Sequence, residues 1–281
     1  MFVPVRRLVA CWRALRMAVH LLCGHATVML RFPRLPAAAR AAYVQGWALA
    51  LLRHGGMRVV VQGQPQVRGP VVWVANHISW LDIPVLHAIG YCRFVSKSSV
   101  QHWPLIGAAA TAMGTLYIER SSRRDALRTV RAMQAALAQG DVLAVFPEGT
   151  TGDGRRLLPF HANLLQAAVH AQVAVQPVGL RFVHRRTGQA CYYPSYKGEG
   201  SVWRSVWRTL SCEALDAVVS FGPPETARGR ERRAWAQDLH ARVDALRHAG
   251  AADAAGLTEP AGKTHPAPAP GPQTPGQSAA G

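Results

Sequence analysis

His77 and Asp82 stand five residues apart, a base and a carboxylate close enough in the chain to work as one unit. In such a pair the carboxylate accepts a hydrogen bond from one ring nitrogen and fixes the tautomer. It also stabilises the imidazolium that forms when the other nitrogen takes a proton. Spacing alone is unspecific, because His248 and Asp253 repeat it without any chemical setting. His77 is singled out by its surroundings. The apolar run Val71-Val72-Trp73-Val74-Ala75 precedes it, Asn76 adjoins it, and Asp82-Ile83-Pro84 reads as the start of a helix. Ser79 lies inside the pair but lacks the strand-turn-helix elbow that activates a serine, so a turn or capping role is expected.

Two other segments carry polar groups at the ends of apolar runs. Lys97 follows the run 93–96, and Arg120 follows 115–118; both cations could converge on an anionic group. The run 142–146 leads into Pro147-Glu148-Gly149-Thr150-Thr151-Gly152-Asp153-Gly154-Arg155-Arg156. Glycines let backbone approach a ligand closely and present N–H groups to an anion. Glu148 could hold a hydroxyl or order the nearby cations.

The elements that must position these groups alternate. Short apolar runs at 58–62, 71–75, 93–96, 115–118, 142–146, 173–180 and 217–221 predict strands, most of them apolar throughout, as strands covered on both faces are. Helical stretches lie between them. The clearest is 122–139, with Ser122 as a cap, Leu127, Val130, Met133 and Leu137 on one face, and Gly140 as the stop. This pattern predicts an α/β sheet layered with helices, and reactive groups gather at strand carboxyl ends in such sheets.

The chain of 281 residues carries 32 Lys plus Arg against 15 Asp plus Glu, a formal charge of +17. Such a charge favours an anionic partner. With 49% hydrophobic residues, wholesale disorder is excluded. No zinc-finger, homeodomain or RNP signature supports nucleic acid as the partner. The five cysteines form no C-x-x-C pair and suggest neither a disulfide framework nor a zinc site, so a reducing compartment is the plain reading.

No acidic residue precedes Asp82, and residues 1–56 hold eight arginines in a Leu-, Val-, Ala- and Trp-rich background. On a helix over 8–30, Arg6, Arg13, Arg16, His20 and Arg31 share a sector of about 80°. A basic stripe on an apolar cylinder predicts an interfacial helix with guanidinium groups at lipid phosphates. Arg13 and Arg16 interrupt the apolar run needed for a span or a signal peptide. After Pro36 a second apolar helix ends at Gly55-Gly56. The expected organisation is a membrane-associated helix pair over 1–56, a catalytic domain over 57–250, and a Pro-, Ala- and Gly-rich disordered tail over 251–281.

Four blocks occur in order: Asn76-His77 with Asp82, 114–120, Phe146-Pro147-Glu148-Gly149-Thr150, and Val175-Gln176-Pro177-Val178. Over about residues 57–185 the arrangement resembles the glycerolipid acyltransferases, specifically the bacterial 1-acyl-glycerol-3-phosphate acyltransferases. The resemblance implies a mostly parallel sheet with helices on both sides and an N-terminal helix pair resting on a membrane. It implies His77 and Asp82 as catalytic residues, and Asn76, Lys97, Arg120, Glu148, Gly149, Thr150, Arg155 and Arg156 around the acceptor. It further implies acyl-CoA or acyl-carrier protein as co-substrate, no metal or other cofactor, an anionic membrane surface as partner, and the cytoplasmic face of a bacterial inner membrane. One departure matters: after Phe-Pro-Glu-Gly-Thr that family usually has a phosphate-binding Arg, and this chain has Thr151. The form Phe-Pro-Glu-Gly-Thr-Thr with a following Asp-Gly also resembles lyso-ornithine lipid acyltransferases of the same superfamily. The acceptor implied first is 1-acyl-glycerol-3-phosphate, and the second is a lyso-ornithine lipid.

Overall fold

A computed structural model describes residues 3–119, 123–196 and 202–249. Arg120, the proposed Ser122 cap and the tail over 251–281 lie outside the described residues. Seven strands form one sheet: β1 Met57–Gln62, β2 Val71–Ala75, β3 Arg93–Lys97, β4 Leu116–Ile118, β5 Val142–Val145, β6 Ala174–His184 and β7 Leu215–Phe221. Their order is β1-β7-β6-β2-β5-β3-β4. All neighbours are parallel except β6 and β7, so the sheet is the mostly parallel one expected.

The apolar runs are two-sided, as their composition requires. Val71, Trp73 and Ala75 of β2 enter one core with α2 (Ala37–His54) and α3 (Asp82–Ile89). Val72 and Val74 enter the other, with α5 (Arg123–Ala138), α6 (Gln166–Ala171) and α8 (Arg232–His248). On α5, Met133 and Leu137 are buried and Val130 packs beside them, whereas Leu127 is exposed, so the packed face is shorter than its apolar pattern predicts. Strand β6 runs past the expected end at 180 to His184, because its second half pairs antiparallel with β7. Gly179 makes room for α8 there: a Cβ would sit 2.5 Å from the Arg247 backbone nitrogen.

Helix α1 spans Val3–Leu30 and packs along α2 and along α7 (Val202–Leu210). Gly24 lets the Trp47 indole lie against α1, where any Cβ would collide with it. The basic sector is oriented differently from the expectation. Arg13 donates to the carbonyls of Leu210 (2.9 Å) and Glu213 (2.8 Å), and also to that of Cys212. His20 Nε2 donates to the Trp47 carbonyl (2.9 Å) with the two rings stacked. Arg6 and Arg16 stay exposed. A helical wheel gives the angles between residues but not which sector faces the protein. The unsatisfied carbonyls at the end of α7 draw Arg13 inward. Exposed alongside Arg6 and Arg16 is an apolar stripe: Leu8, Trp12, Leu15, Val19, Leu22 and Leu30, Leu8 by 70%. They share a sector of about 80°, roughly 120° from the basic one.

Candidate active site

Strand β2 ends at Ala75, and Asn76 extends the sheet with its side chain. Its Nδ2 donates to the Leu180 carbonyl (3.0 Å), and Leu180 N donates to its Oδ1 (2.7 Å). The amide therefore continues the β2–β6 ladder while the main chain turns away at His77. Asn76 is buried, and both ends of its amide are bonded to Leu180, which holds the start of the His77 loop.

Asp82 opens α3 and is fully buried. Its Oδ2 accepts from three donors: Ile78 N (2.6 Å), Ser79 N (2.8 Å) and His77 Nδ1 (2.8 Å). A carboxylate in the first turn also suits the helix dipole. Ser79 Oγ accepts from Leu81 N, the turn role expected of it. With Nδ1 committed to Asp82, His77 directs Nε2 away from the carboxylate. Its ring stacks on Phe146 at 4.1 Å and 11°, and the side chain is 19% exposed. One imidazole nitrogen is thus held and the other is available as a base.

The loop after β5 holds the backbone of the same histidine. Glu148 Oε1 accepts from His77 N (2.6 Å), Oε2 accepts from Leu158 N (2.8 Å), and Gly152 N donates to the His77 carbonyl (2.8 Å). Burial pushes the Glu148 carboxyl above the usual range, opposed by those two backbone bonds. Gly149 adopts φ +69°, and its N–H donates to the Phe146 carbonyl. The resemblance puts Glu148 and Gly149 among the substrate contacts; in the structure their bonds go to backbone, and they shape the loop that carries His77.

The cations are more dispersed. Lys97 is exposed at the end of β3, on the same sheet edge as His77 but two strands from β2, roughly 10 Å away. Thr150 is exposed on the loop. Arg155 and Arg156 are exposed, and their N–H groups donate to Asp153 Oδ1. The Arg155 guanidinium lies 4.7 Å over the Tyr192 ring. Gln176, in the fourth block, is fully buried and bonded to the Gln64 and Gly222 carbonyls and to Gln66 N, so it ties β6 to the loop after β1.

Two residues escaped sequence reasoning. Arg247 of α8 donates to the carbonyls of Gly154 (2.9 Å) and Arg155 (2.8 Å) and holds the glycine loop from below. Tyr196 lies near Thr151. Its phenol is pushed above the ordinary value by burial and then by the charge of Asp82, while Thr151 opposes this. No spacing signal joins either residue to the motif blocks.

A family model described as Acyltransferase matches residues 58–181. The lyso-ornithine lipid O-acyltransferase of Pseudomonas aeruginosa is 36% identical over 197 residues, 70% of this chain and 75% of that one. The 1-acyl-sn-glycerol-3-phosphate acyltransferase of Neisseria gonorrhoeae is 37% identical over 161 residues, 57% of this chain and 62% of that one. The crystal structure of the 1-acyl-sn-glycerophosphate (LPA) acyltransferase PlsC from Thermotoga maritima superposes with a TM-score of 0.64 at 18% identity, covering 87% of this chain and 98% of that one, and shares the fold.

Proposed function

Because this chain belongs to the acyltransferase family, we propose that it moves a fatty acyl group from a thioester donor to the free hydroxyl of a lysolipid, with His77 as general base. The carrying observation is the His77–Asp82 pair, its Nδ1 held at 2.8 Å and its other nitrogen directed away from the carboxylate at the carboxyl edge of the sheet. His77 Nε2 takes the hydroxyl proton as the oxygen attacks the thioester carbonyl of acyl-CoA or acyl-carrier protein. Asp82 holds the tautomer and stabilises the imidazolium. Collapse of the tetrahedral intermediate expels a thiolate, whose conjugate acid has a pKa near 8.5 and needs no strong acid to leave.

For the acceptor we favour the lyso-ornithine lipid class. Thr151 stands where phosphate-binding relatives have Arg, and with Tyr196 near it this corner of the loop is neutral, which suits a headgroup without phosphate. The coverage of the Pseudomonas relative supports the same choice. A phosphate-bearing acceptor, 1-acyl-glycerol-3-phosphate, is the second reading, supported by Lys97, Arg155 and Arg156 along one sheet edge and by the Neisseria relative. Purified protein offered both acceptors with labelled acyl-CoA separates them. On the favoured reading lyso-ornithine lipid is acylated, and Arg120→Ala or the Arg155→Ala/Arg156→Ala pair leaves its KM unchanged. On the second, those variants raise KM for the phosphate acceptor by at least about tenfold. Acylation of neither lipid rejects both.

The site of action is a membrane surface at its cytoplasmic face. Among the described residues no helix is long and apolar enough to cross a membrane. The outward stripe of α1 instead offers an apolar face to lie along one. Trp203 and Trp207 of α7, which packs on α1, are exposed by 81% and 45%. Tryptophan in that setting suits the headgroup level.

A further inference from the structure

We propose that His184, Cys191 and Cys212 form a binding site for a thiophilic divalent metal ion, with zinc(II) the ion whose chemistry fits best. The three lie 7 and 21 residues apart in the chain, which is why no cysteine spacing announces them; the fold brings them together. His184 closes β6. Cys191 returns beside that strand, its N–H bonded to the Phe182 carbonyl (2.8 Å) next to the Val183–Ala190 bridge. Cys212 sits just after α7, before β7.

The geometry suits a tetrahedral ion. The two Sγ atoms and one imidazole nitrogen all lie within 4.8 Å of one another. Cys212 Sγ and His184 Nδ1 are 3.5 Å apart. Around zinc, S and N ligands at about 2.3 and 2.0–2.1 Å subtend a tetrahedral edge of about 3.6 Å. Neither Cys191 nor Cys212 is in a disulfide. Two thiolates and an imidazole select zinc-like ions over magnesium or calcium. Both cysteines are buried, and His184 is half-buried. Binding displaces the thiol protons, and the two thiolates neutralise the dication.

The site also has a supporting shell. Arg13 of α1 grips the carbonyls of Leu210, Cys212 and Glu213. An ion held by Cys212, Cys191 and His184 would lock the α7–β7 connection to β6, and with it the joint where α1 meets the sheet. This is a structural clamp, independent of the acyl-transfer reading.

The test is cobalt(II) titration of the full chain, purified under reductant, then displacement by zinc(II). One equivalent of cobalt should give tetrahedral d–d bands and a thiolate-to-cobalt charge-transfer band, and zinc should abolish both. Zinc should also raise the melting temperature. A Cys11→Ser/Cys23→Ser variant, altered only on exposed positions of α1, should keep these signals. Cys191→Ser/Cys212→Ser should lose the charge-transfer band. His184→Asn, at a half-exposed position, should keep that band and bind at least about tenfold more weakly. Wild-type protein with no charge-transfer band, or the same band in the double cysteine variant, overturns the site. So does a Cys191–Cys212 disulfide without bound metal in protein whose thiols are trapped at lysis.

Discussion

Around His77 the chain holds its polar groups with hydrogen bonds, leaving Asp82 Oδ1 without one, whereas along the outer face of α1 large apolar side chains stay exposed. Asp82 Oδ2 takes three N–H donors, Glu148 takes two backbone amides, and Asn76 closes on Leu180. The imidazole is fixed while one of its nitrogens is left for substrate. On α1 the order is reversed. Arg13 and His20 turn inward to carbonyls, and Leu8, Leu15 and Val19 turn outward. In each region the group left over is the one the proposed function uses: a ring nitrogen at the sheet edge, an apolar stripe on the helix.

The contrast can be broken at either end. His77→Ala should lower turnover by about 10³-fold, within the usual range for a general base, and leave vesicle binding unchanged. Steady-state rates beside a vesicle sedimentation assay check both halves; retained turnover would remove the catalytic reading. Next in size, Leu15→Asp with Val19→Asp should weaken partitioning into vesicles by about 10²-fold, since each loses about 1.5 kcal/mol or more of apolar burial. Because both are exposed, the melting temperature should not fall. Smaller again, Glu148→Gln replaces one of two acceptors by a donor. It should cost about 1–3 kcal/mol in chemical unfolding and lower kcat about tenfold with acceptor KM unchanged. A KM effect instead would return Glu148 to the substrate. The smallest change is Arg16→Gln. It should reduce binding to anionic vesicles by about fivefold and to neutral ones not at all, because one exposed cation near such a surface contributes about 1 kcal/mol.

Legibility in the sequence followed the range of the interaction. All seven strands were readable: in β2, β5, β6 and β7 burial on both faces writes a local apolar run, and in β1, β3 and β4, at or near the sheet edges, a shorter apolar stretch sufficed. His77 and Asp82 were readable because one loop of five residues contains the whole bond. The orientation of α1 was not, because it depends on α7, some 200 residues away, whose end carbonyls need a donor. The same limit hid Asn76 with Leu180, Glu148 with His77, and the cluster of His184, Cys191 and Cys212. Each is a pairing across strands or loops that leaves no periodicity.

The position of β1 has a consequence for the order of synthesis. Among the described strands it pairs with β7 alone, and Arg58 also pairs through its guanidinium with Asp216, 158 residues later. At about 5–20 residues per second, β1 waits roughly 8–30 s on the ribosome for the strand that completes it. Throughout that interval α1 and α2 have already emerged, and the α7 carbonyls that will hold Arg13 do not yet exist. The helix pair therefore meets its surroundings as a free amphipathic hairpin, and a nearby bilayer can shelter its apolar stripe before the sheet closes beneath it.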